Sequence, residues 1–254
     1  MSLQAEQRME QILKEVEVHD SLTVAYLAQT VGASEASIRR DISELARRGL
    51  VHKTHGGVRA VREEFRGEEP DIQVKRKLHS EEKQAIARYA AGLIHDGDVV
   101  FLDAGSTVCC IADYVQAPKA LFVSSSVECL QRLSTRGLRT YVPGGRMKPG
   151  TRAIVGSEAV ETLKRFNFTK AFLGANGITP DQGFTTPDPE EAAVKAAAAA
   201  QARETFVLAD ASKFGTITTA TFLALEEAEI ITDRLKETRC ADYTSVKEVL
   251  KKED

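Results

Sequence analysis

The chain of 254 residues lacks several features that would assign it to a particular class of protein. It contains no run of 18 apolar residues, so we expect neither a membrane span nor a membrane partner. Its first residues, MSLQAEQRMEQIL, lack the apolar core of a secretory signal peptide. The formal net charge of −3 argues against a protein that coats nucleic acid with its whole surface. These absences together predict a globular cytoplasmic protein.

Cysteine is scarce and irregularly spaced. The four cysteines, Cys109, Cys110, Cys129 and Cys240, form no C-x-x-C pair, so neither a zinc site nor a disulfide framework is expected. Scattered cysteines are typical of a reducing compartment. The adjacent Cys109 and Cys110 could form a redox sensor, but two small buried hydrophobic residues are the simpler interpretation. We expect no metal and no cofactor.

Charge is concentrated in one short region. Residues 36–62 contain seven basic and two acidic residues, whereas residues 1–35 have an acidic excess. The N-terminal region is therefore close to neutral overall, and only one of its faces can be basic.

Three helical patterns fill residues 4–47. Ser21 or Thr23 can cap the second helix, and Ser34 can cap the third, because their side chains accept hydrogen bonds from free backbone amides. A short second helix, a tight turn at Gly32 and a third helix form the helix-turn-helix pattern. In the third helix an apolar stripe with helical spacing comprises Ile38, Ile42 and Leu45.

A short β-type run follows the third helix. Gly49 ends that helix, and the run Leu50–Thr54 then enters a turn at Gly56 and Gly57. A helix with arginines off its apolar stripe, followed by a small hairpin, predicts a winged helix-turn-helix domain over residues 1–59, whose third helix would enter a DNA major groove. His52 and His55 would lie on opposite faces of the hairpin, which argues against a metal site.

The pattern changes after residue 59. Residues 60–79 are dense in charge and include Gly67 and Pro70, so we interpret them as a linker. Ser80 is expected to cap a helix. From there to residue 254, short apolar strands alternate with helices, which predicts an α/β domain with a mostly parallel sheet.

Five segments rich in glycine and hydroxyl residues follow predicted strands of this second domain. They are Asp103–Thr107, Ser124–Ser126, Gly144–Gly145 with Arg146, Lys148 and Arg152 nearby, Gly174–Gly177, and Asp210–Lys213. Ligands of α/β proteins bind at the carboxyl ends of strands. Each segment alone is ordinary turn chemistry, but together, with lysine and arginine beside them, they favour a phosphorylated polyol or sugar as ligand.

The chain resembles the DeoR family of bacterial sugar-metabolism repressors over nearly its whole length. The N-terminal match is SEASIRRDISELARRGLVHKTHGG, and the later matches are DAGST, VPGG, GANGI, TTPDPEEAAVK and ADASKFG, in that order. The resemblance implies a DNA-binding repressor of a carbohydrate operon, released by a phosphorylated sugar. It also implies an effector-sensing and oligomerisation domain over residues 80–254, related in fold to ribose-5-phosphate isomerase.

The resemblance assigns roles to individual residues. Those expected to contact DNA are Ser37, Arg39 and Arg40 on the third helix and Lys53, Thr54 and His55 on the wing. Those expected around the effector are Asp103, Gly105, Ser106, Thr107, Ser124, Ser126, Gly145, Arg152, Gly174, Glu191, Lys195 and Lys213. The chain departs from the family at Ser125, often Asn, and at Cys109-Cys110, where small or hydroxyl residues are common. The segment TTPDPEEAAVK is most similar to members that regulate fructose or other phosphotransferase sugars.

Alternative interpretations remain open at this stage. Arg39 and Arg40 could be ordinary surface residues, Glu191 and Lys195 a surface ion pair four residues apart on a helix, and Asp103 a turn-holding residue. The whole chain could be a sugar-phosphate isomerase, although Asn176 stands where a general base would be needed. It could also be a regulator with a non-sugar effector. Because one recognition helix covers few base pairs, a homodimer or tetramer is expected on double-stranded operator DNA.

Overall fold

The computed structural model describes residues 3–19, 21–60, 64–67 and 71–250. Contacts between residues divide the chain into two compact units. The first contains residues 1–63 and 236–242, and the second contains residues 64–235 and 243–254. No helix among the described residues is long and apolar enough to cross a lipid bilayer.

The first unit consists of three helices and a small antiparallel sheet. Its elements are α1 (Leu3–His19), β1 (Ser21–Thr23), α2 (Val24–Val31), α3 (Glu35–Arg47), β2 (Val51–Thr54) and β3 (Gly57–Ala60), with the strand order β1-β3-β2. Thr23 caps α2 by accepting a hydrogen bond from the Tyr26 amide at 3.2 Å. Ser34 caps α3 in the same way at the Ser37 amide, at 3.3 Å. The winged helix-turn-helix arrangement predicted from the sequence is confirmed.

The buried face of α3 holds this unit together. Its apolar stripe packs with α1, α2 and the wing into one cluster, which comprises Met9, Ile12, Val16, Val24, Leu27, Ile38, Ile42, Leu45, Val51 and Val58. The same face carries Asp41, whose carboxylate accepts hydrogen bonds from the Arg8 guanidinium at 2.5 and 3.1 Å. Thr238, from the separate segment of this unit, donates its hydroxyl hydrogen to the Arg48 carbonyl at the end of α3.

The second unit contains the remaining elements. They are β4 (Glu64–Phe65), α4 (Ile72–Lys77), α5 (Ser80–Gly92), β5 (Val99–Leu102), α6 (Ser106–Cys109), α7 (Ile111–Tyr114), β6 (Leu121–Ser124), α8 (Val127–Thr135), β7 (Arg139–Tyr141), β8 (Arg146–Met147), β9 (Ile154–Val155), α9 (Ser157–Leu163), β10 (Phe168–Gly174), β11 (Gly177–Thr179), β12 (Gly183–Thr186), α10 (Pro189–Ala200), β13 (Ala202–Leu208), β14 (Thr216–Ile217), β15 (Ala220–Leu223), β16 (Glu229–Thr232) and β17 (Val246–Glu248). Short 3₁₀ turns follow β13 and β15.

Seven of these strands form one parallel sheet in the order β17-β16-β13-β10-β5-β6-β7. From β5 the chain proceeds to β6 and β7 in one direction, and from β10 it proceeds to β13, β16 and β17 in the other. The sheet therefore has a topological switch point between β5 and β10. The predicted parallel α/β architecture is confirmed, with helices on the sheet because buried parallel strands need cover on both faces.

The structure adds elements that the sequence analysis did not predict. Strands β11, β12 and β15 form a separate antiparallel sheet, and β8 pairs with β9 as a hairpin. Short strands with mixed polarity give no clear alternation signal, so they escape detection by periodicity. Ser80 is the first helical residue of α5 and not its cap: the cap position is His79, which has a φ of 53° and makes no capping hydrogen bond with its side chain.

The expected linker at residues 60–79 contains regular structure. Its residues 61–63 and 68–70 lie outside the described part of the chain. Within the remainder, β4 pairs with β14, and Asp71 caps α4 by accepting a hydrogen bond from the Gln73 amide at 2.8 Å. Ile72 is buried at the start of α4. The linker was predicted from the high charge density of this segment. The evidence for α4, one buried apolar residue and one capping side chain, did not stand out among those charges.

We predict that Asp41→Ala lowers the free energy of unfolding of the first unit by about 1.5–3 kcal/mol, because the buried carboxylate bonds to a charged donor. Urea denaturation followed by far-UV circular dichroism measures the change. Glu35→Ala is the matched control, since its ion pair with Arg39 is exposed and is worth less than about 1 kcal/mol. Equal effects of the two substitutions would contradict a stabilising role for Asp41.

Candidate effector site and DNA-binding surface

A cavity of about 260 Å³ lies within the second unit at the switch point of the sheet. It is lined by the loop after β5 (Ala104 to Thr107), the end of β10 and the loop after it (Gly174 to Asn176), and residues that follow β13. Two loops that leave neighbouring strands in opposite directions open a crevice between them, which is where α/β sheets bind ligands. The volume is near the lower end of the range for ligand pockets, which suits a small molecule.

A buried ion pair sets the geometry of the cavity wall. Lys195 of α10 binds the carboxylate of Asp103, and only 4% and 5% of the two side chains are exposed. Asp103 also accepts a hydrogen bond from the Gly174 amide at 2.9 Å, and Lys195 donates to the Gly174 carbonyl at 3.0 Å. The pair therefore ties β5, β10 and α10 together. Asp103 therefore holds its loop in place, which agrees with the turn-holding interpretation that the sequence analysis left open beside an effector contact.

Gly105 and Gly174 lie where these two loops meet. A Cβ atom on Gly105 would lie 3.4 Å from the Gly174 Cα atom and 3.5 Å from the Asp103 carboxylate, which are ordinary van der Waals distances. The two loops therefore pack against each other beside the cavity.

The cavity is rich in positive charge. Among the described residues, its lining includes five cationic side chains but one carboxylate, Glu191; the cations are Arg66, Lys75, Lys83, Lys195 and Lys213. Burial lowers the pKa of Lys83 and of Lys213, because each ammonium group is removed from water without full compensation. Burial acts to raise the pKa of Asp210, but the nearby Lys213 and the hydrogen bonds from Ser212 lower it overall. An anionic ligand would supply the missing compensation.

Two polar side chains at the cavity differ in how much of their hydrogen-bonding capacity is used. The Glu191 carboxylate accepts hydrogen bonds from Thr151 at 2.7 Å and from Lys148 at 2.8 Å, so it is already engaged. The hydroxyl of Thr218, which also lines the cavity, is buried and has no hydrogen-bond partner among the described residues. A buried hydroxyl normally makes a hydrogen bond, so Thr218 is available to a ligand.

The structure brings most of the sequence-predicted effector residues together. Those that line the cavity are Gly105, Ser106, Thr107, Gly174, Glu191, Lys195 and Lys213. Asp103 lies behind the wall, bonded to Lys195. Glu191 and Lys195 are not a surface pair, because each has a separate buried partner.

Four predicted effector residues do not line this cavity. The Ser124 hydroxyl donates to the Leu102 carbonyl at 2.7 Å, and Ser126 caps α8 by accepting from the Cys129 amide at 3.2 Å. Gly145 has a φ of 127° and packs closely against the Val155 carbonyl, so glycine is required there by the backbone conformation. Arg152 lines a different recess, beside Met147 and Gln131. In a sequence, hydroxyl residues and glycines at strand ends are equally consistent with a role in a turn and with contact to a ligand.

Several lining residues were missed by sequence reasoning. Arg66, Lys75, His79 and Lys83 come from the segment interpreted as a linker and from the first turn of α5. The cluster of basic residues in that segment could have indicated an anion-binding site, but the segment was interpreted as a solvent-exposed linker. Thr151 and Thr218 come from short loops whose fold depends on tertiary contacts.

A second candidate surface lies in the first unit, between α3 and the wing. The Lys53 ammonium donates to the Ser43 hydroxyl at 3.1 Å and so joins β2 to the exposed side of α3. The resulting groove is lined by Arg39, Arg40, Ser43, Glu44, Arg47 and Lys53. Thr54 and His55 are exposed at the end of the wing hairpin, and Ser37 is half-buried in the first turn of α3. All six sequence-predicted DNA contacts therefore belong to α3 or the wing.

Ion pairs distinguish the arginines of this surface. Hydrogen bonds from Arg47 and Arg48 lower the pKa of Glu44 to about 2, so this carboxylate stays ionised and balances the charge of those two arginines. Arg39 makes an exposed pair with Glu35 at 3.1 Å, which is weak and easily exchanged. Arg40 bonds only with the Ala36 carbonyl and the Ser37 hydroxyl in the part of the chain that the structure describes. Arg39, Arg40 and Lys53 thus carry most of the basic character.

Comparisons with known proteins agree with both units. The DeoR-like helix-turn-helix domain matches residues 8–64, and the DeoR C-terminal sensor domain matches residues 78–234. The chain belongs to the DeoR family. It is 37% identical to an uncharacterized HTH-type transcriptional regulator, FruR, from Bacillus subtilis (strain 168), over 93% of this chain and 94% of that protein.

Other similarities are lower. The lactose phosphotransferase system repressor of Staphylococcus epidermidis (strain ATCC 35984) is 31% identical over 89% of this chain and 91% of its own length. Ribose 5-phosphate isomerase A from Methanocaldococcus jannaschii shares 17% identity over 52% of this chain and 53% of that chain, with a TM-score of 0.37. DeoR-family proteins are DNA-binding transcriptional regulators, so the isomerase hypothesis is rejected and the chain is not an enzyme.

We predict that Lys195→Met lowers the free energy of unfolding of this DeoR-family sensor domain by about 3–5 kcal/mol, because it leaves the Asp103 charge buried and uncompensated. Urea denaturation gives the difference. Lys164→Met is the control, since Lys164 makes only an exposed pair with Glu161 and its loss costs less than about 1 kcal/mol. An effect of Lys195→Met no larger than that of the control would contradict the wall-forming role.

Proposed function

We propose that the protein is a transcriptional repressor of a carbohydrate-utilisation operon and that a phosphorylated sugar releases it from operator DNA. The observation that carries the proposal is the pairing of a DNA-binding unit with a cationic cavity at the switch point of the sensor domain. Relatives within the family include a lactose phosphotransferase system repressor and a regulator named FruR. A phosphotransferase sugar such as fructose is therefore the first effector class to test.

The cavity supports a phosphorylated ligand for three reasons. Lys83 and Lys213 carry charges that burial disfavours, and a phosphate would stabilise both. Backbone amides near Gly105 and hydroxyls of Ser106 and Thr107 stand at the same end of the sheet. The free hydroxyl of Thr218 suits a sugar hydroxyl group, which can both donate and accept.

The groove beside α3 supports binding to double-stranded DNA. Arg39 and Arg40 project from the N-terminal half of α3, the part of a recognition helix that contacts base edges. Lys53 on the wing is proposed to contact a phosphate, which is supported by its exposed position beside α3. Since one such helix covers few base pairs, we propose a homodimer or tetramer on repeated half-sites. For release, the effector must bind the DNA-incompetent state more tightly than the competent one.

We predict that Arg39→Ala weakens binding to operator DNA about 5- to 150-fold, the loss expected for one base contact worth about 1–3 kcal/mol. Gel-shift titration upstream of a neighbouring carbohydrate operon, at fixed salt, measures it. Arg165→Ala removes the same charge from an exposed position in the sensor domain and should leave affinity unchanged. Lys53→Ala should reduce the slope of log affinity against log salt by about 0.9, because one phosphate contact is lost.

The DNA-binding part of the proposal fails if the wild-type protein binds no segment of its own genomic neighbourhood at moderate salt. It also fails if Arg39→Ala and Arg165→Ala weaken binding equally, since the loss would then reflect total charge and not the recognition helix.

A thermal-shift screen identifies the effector. We predict that a phosphorylated hexose, pentose or tetrose at 100 times its dissociation constant stabilises the protein by about 2.7 kcal/mol, whereas the unphosphorylated sugar gives no shift. Lys213→Met should weaken that ligand at least about 10-fold, because a charged hydrogen bond is worth about 1.5–3 kcal/mol. Lys164→Met is the control for the loss of one lysine charge.

The outcome separates the sugar-phosphate proposal from its alternative. A shift produced by other metabolites and by no phosphorylated sugar would favour a regulator with a non-sugar effector. DNA binding that persists in the presence of the stabilising ligand would contradict release as the mode of control.

A further inference from the structure

Part of the cavity wall comes from the connecting segment, which we define as residues 64–67 and 71–79. Five residues of this segment line the cavity: Arg66, Ile72, Lys75, Leu78 and His79. In the sequence the segment follows the DNA-binding unit, because the wing ends at Ala60 and the second unit begins at Glu64. A ligand in the cavity can therefore contact the stretch of chain that leads away from the wing.

Strand β4 fastens the beginning of the connecting segment beside Lys213. The Glu64 amide donates a hydrogen bond to the Gly215 carbonyl at 2.9 Å. The Arg66 amide donates to the Ile217 carbonyl, also at 2.9 Å. Lys213 precedes Gly215 in the chain by two residues and lines the cavity. The pairing of β4 with β14 therefore brings Arg66 and Lys213 to the same cavity.

Helix α4 is fastened at two further points. The Ile72 amide donates to the Gly150 carbonyl at 3.4 Å. The Lys83 ammonium donates to the Lys75 carbonyl. Lys83 lines the cavity, and so does Thr151, which follows Gly150. Each contact that holds the connecting segment thus lies at or beside a residue that a ligand in the cavity can reach.

Three cationic side chains converge at this part of the cavity. Arg66 and Lys75 come from the connecting segment, and Lys213 comes from the turn after β13. Burial lowers the pKa of Lys213 more than the Asp210 carboxylate raises it, and the charges of Lys75 and Arg66 lower it further. Like charges that are held together oppose one another until an anion joins them. This group of cations is therefore suited to a ligand with at least one negative charge.

The Arg66 guanidinium is accessible to such a ligand. It pairs with Glu64 at 2.6 Å, but 53% and 64% of the two side chains are exposed. An exposed pair of this kind is weak, so a ligand can replace it at little cost. A guanidinium can donate two parallel hydrogen bonds to one phosphate group, which makes phosphate a strong partner for Arg66.

We propose that Arg66 and Lys75 bind the phosphate group of the effector together with Lys213, and that the effector thereby stabilises the connecting segment on the second unit. The sugar that carries the phosphate rests on the proposed function, whereas the phosphate subsite does not. A ligand that contacts the segment in its fastened position favours that position over any other. The effector would then act on the chain that leads to the wing.

The test uses inorganic phosphate as the probe on the full-length protein, with chloride at equal ionic strength as the reference. Hydrogen exchange followed by mass spectrometry reports how firmly the connecting segment is held. We expect phosphate to slow the exchange of peptides that cover residues 64–67 and 71–79. Arg66→Met and Lys75→Met should each weaken phosphate binding, measured by calorimetric titration, by about 10-fold or more, the loss expected for one charged hydrogen bond.

Two substitutions are matched controls. Lys77→Met removes an exposed lysine from the same helix as Lys75, and Lys77 is not among the residues that line the cavity. Arg165→Met removes an exposed arginine elsewhere in the second unit. Both controls should bind phosphate as the wild-type protein does. Circular dichroism checks the fold of each variant. Because the Arg66 side chain is exposed, Arg66→Met decides the matter even if Lys75→Met does not fold.

Two results would overturn the proposal. One is a wild-type protein in which phosphate slows no exchange in the connecting segment. The other is phosphate binding by Arg66→Met and Lys75→Met that is as tight as binding by their controls.

Failure of the subsite is distinguishable from failure of the proposed function. A phosphorylated sugar that releases the wild-type protein and both variants from DNA at the same concentration would refute the subsite and support the repressor. Phosphate binding that is lost in both variants, in a protein that no phosphorylated sugar releases from DNA, would support the subsite and refute the repressor mechanism.

Discussion

The buried ion pair between Asp103 and Lys195 is the interaction on which the sensor domain depends. It joins the loop after β5, the end of β10 and the helix α10, and both partners also bond to Gly174. A charge pair removed from water is stable only when its remaining hydrogen-bonding capacity is met, and here the Gly174 backbone contributes to that. The pair holds the two diverging loops at a fixed distance, and Gly105 and Gly174 lie where these loops meet.

The charged groups around the cavity wall fall into two sets: those that have partners in the structure, and those whose charge is disfavoured by burial. Lys195, Glu191 and Lys148 have partners that structure the site, whereas burial lowers the pKa of Lys83 and of Lys213. These two lysines, and the Thr218 hydroxyl that lacks a hydrogen-bond partner among the described residues, are the groups that we propose contact a ligand. The same distinction applies in the DNA-binding unit, where Glu44 balances Arg47 and Arg48, while Arg39 and Arg40 remain exposed on α3.

The elements with strong local signals were predicted from the sequence. Ser34 and the stripe of Ile38, Ile42 and Leu45 predicted α3, because a cap and a helical period can both be recognised within a short stretch of sequence. The alternation of short apolar strands with helices after residue 80 predicted the parallel sheet, to which the apolar run Val99–Leu102 contributes β5. By contrast, α4 was missed, because its evidence is one buried residue, Ile72, within a charged segment.

The sequence alone determined the class of each domain, the caps of the DNA-binding helices α2 and α3, and seven of the residues that line the cavity, because these depend on local composition and period. The tertiary structure alone decided which strand ends meet. Ser124, Ser126 and Gly145 resembled ligand residues until the fold placed them in turns, and Arg66 and Lys75 resembled a solvated linker until it placed them at the cavity. Which strand ends meet depends on strand order, which no local pattern records.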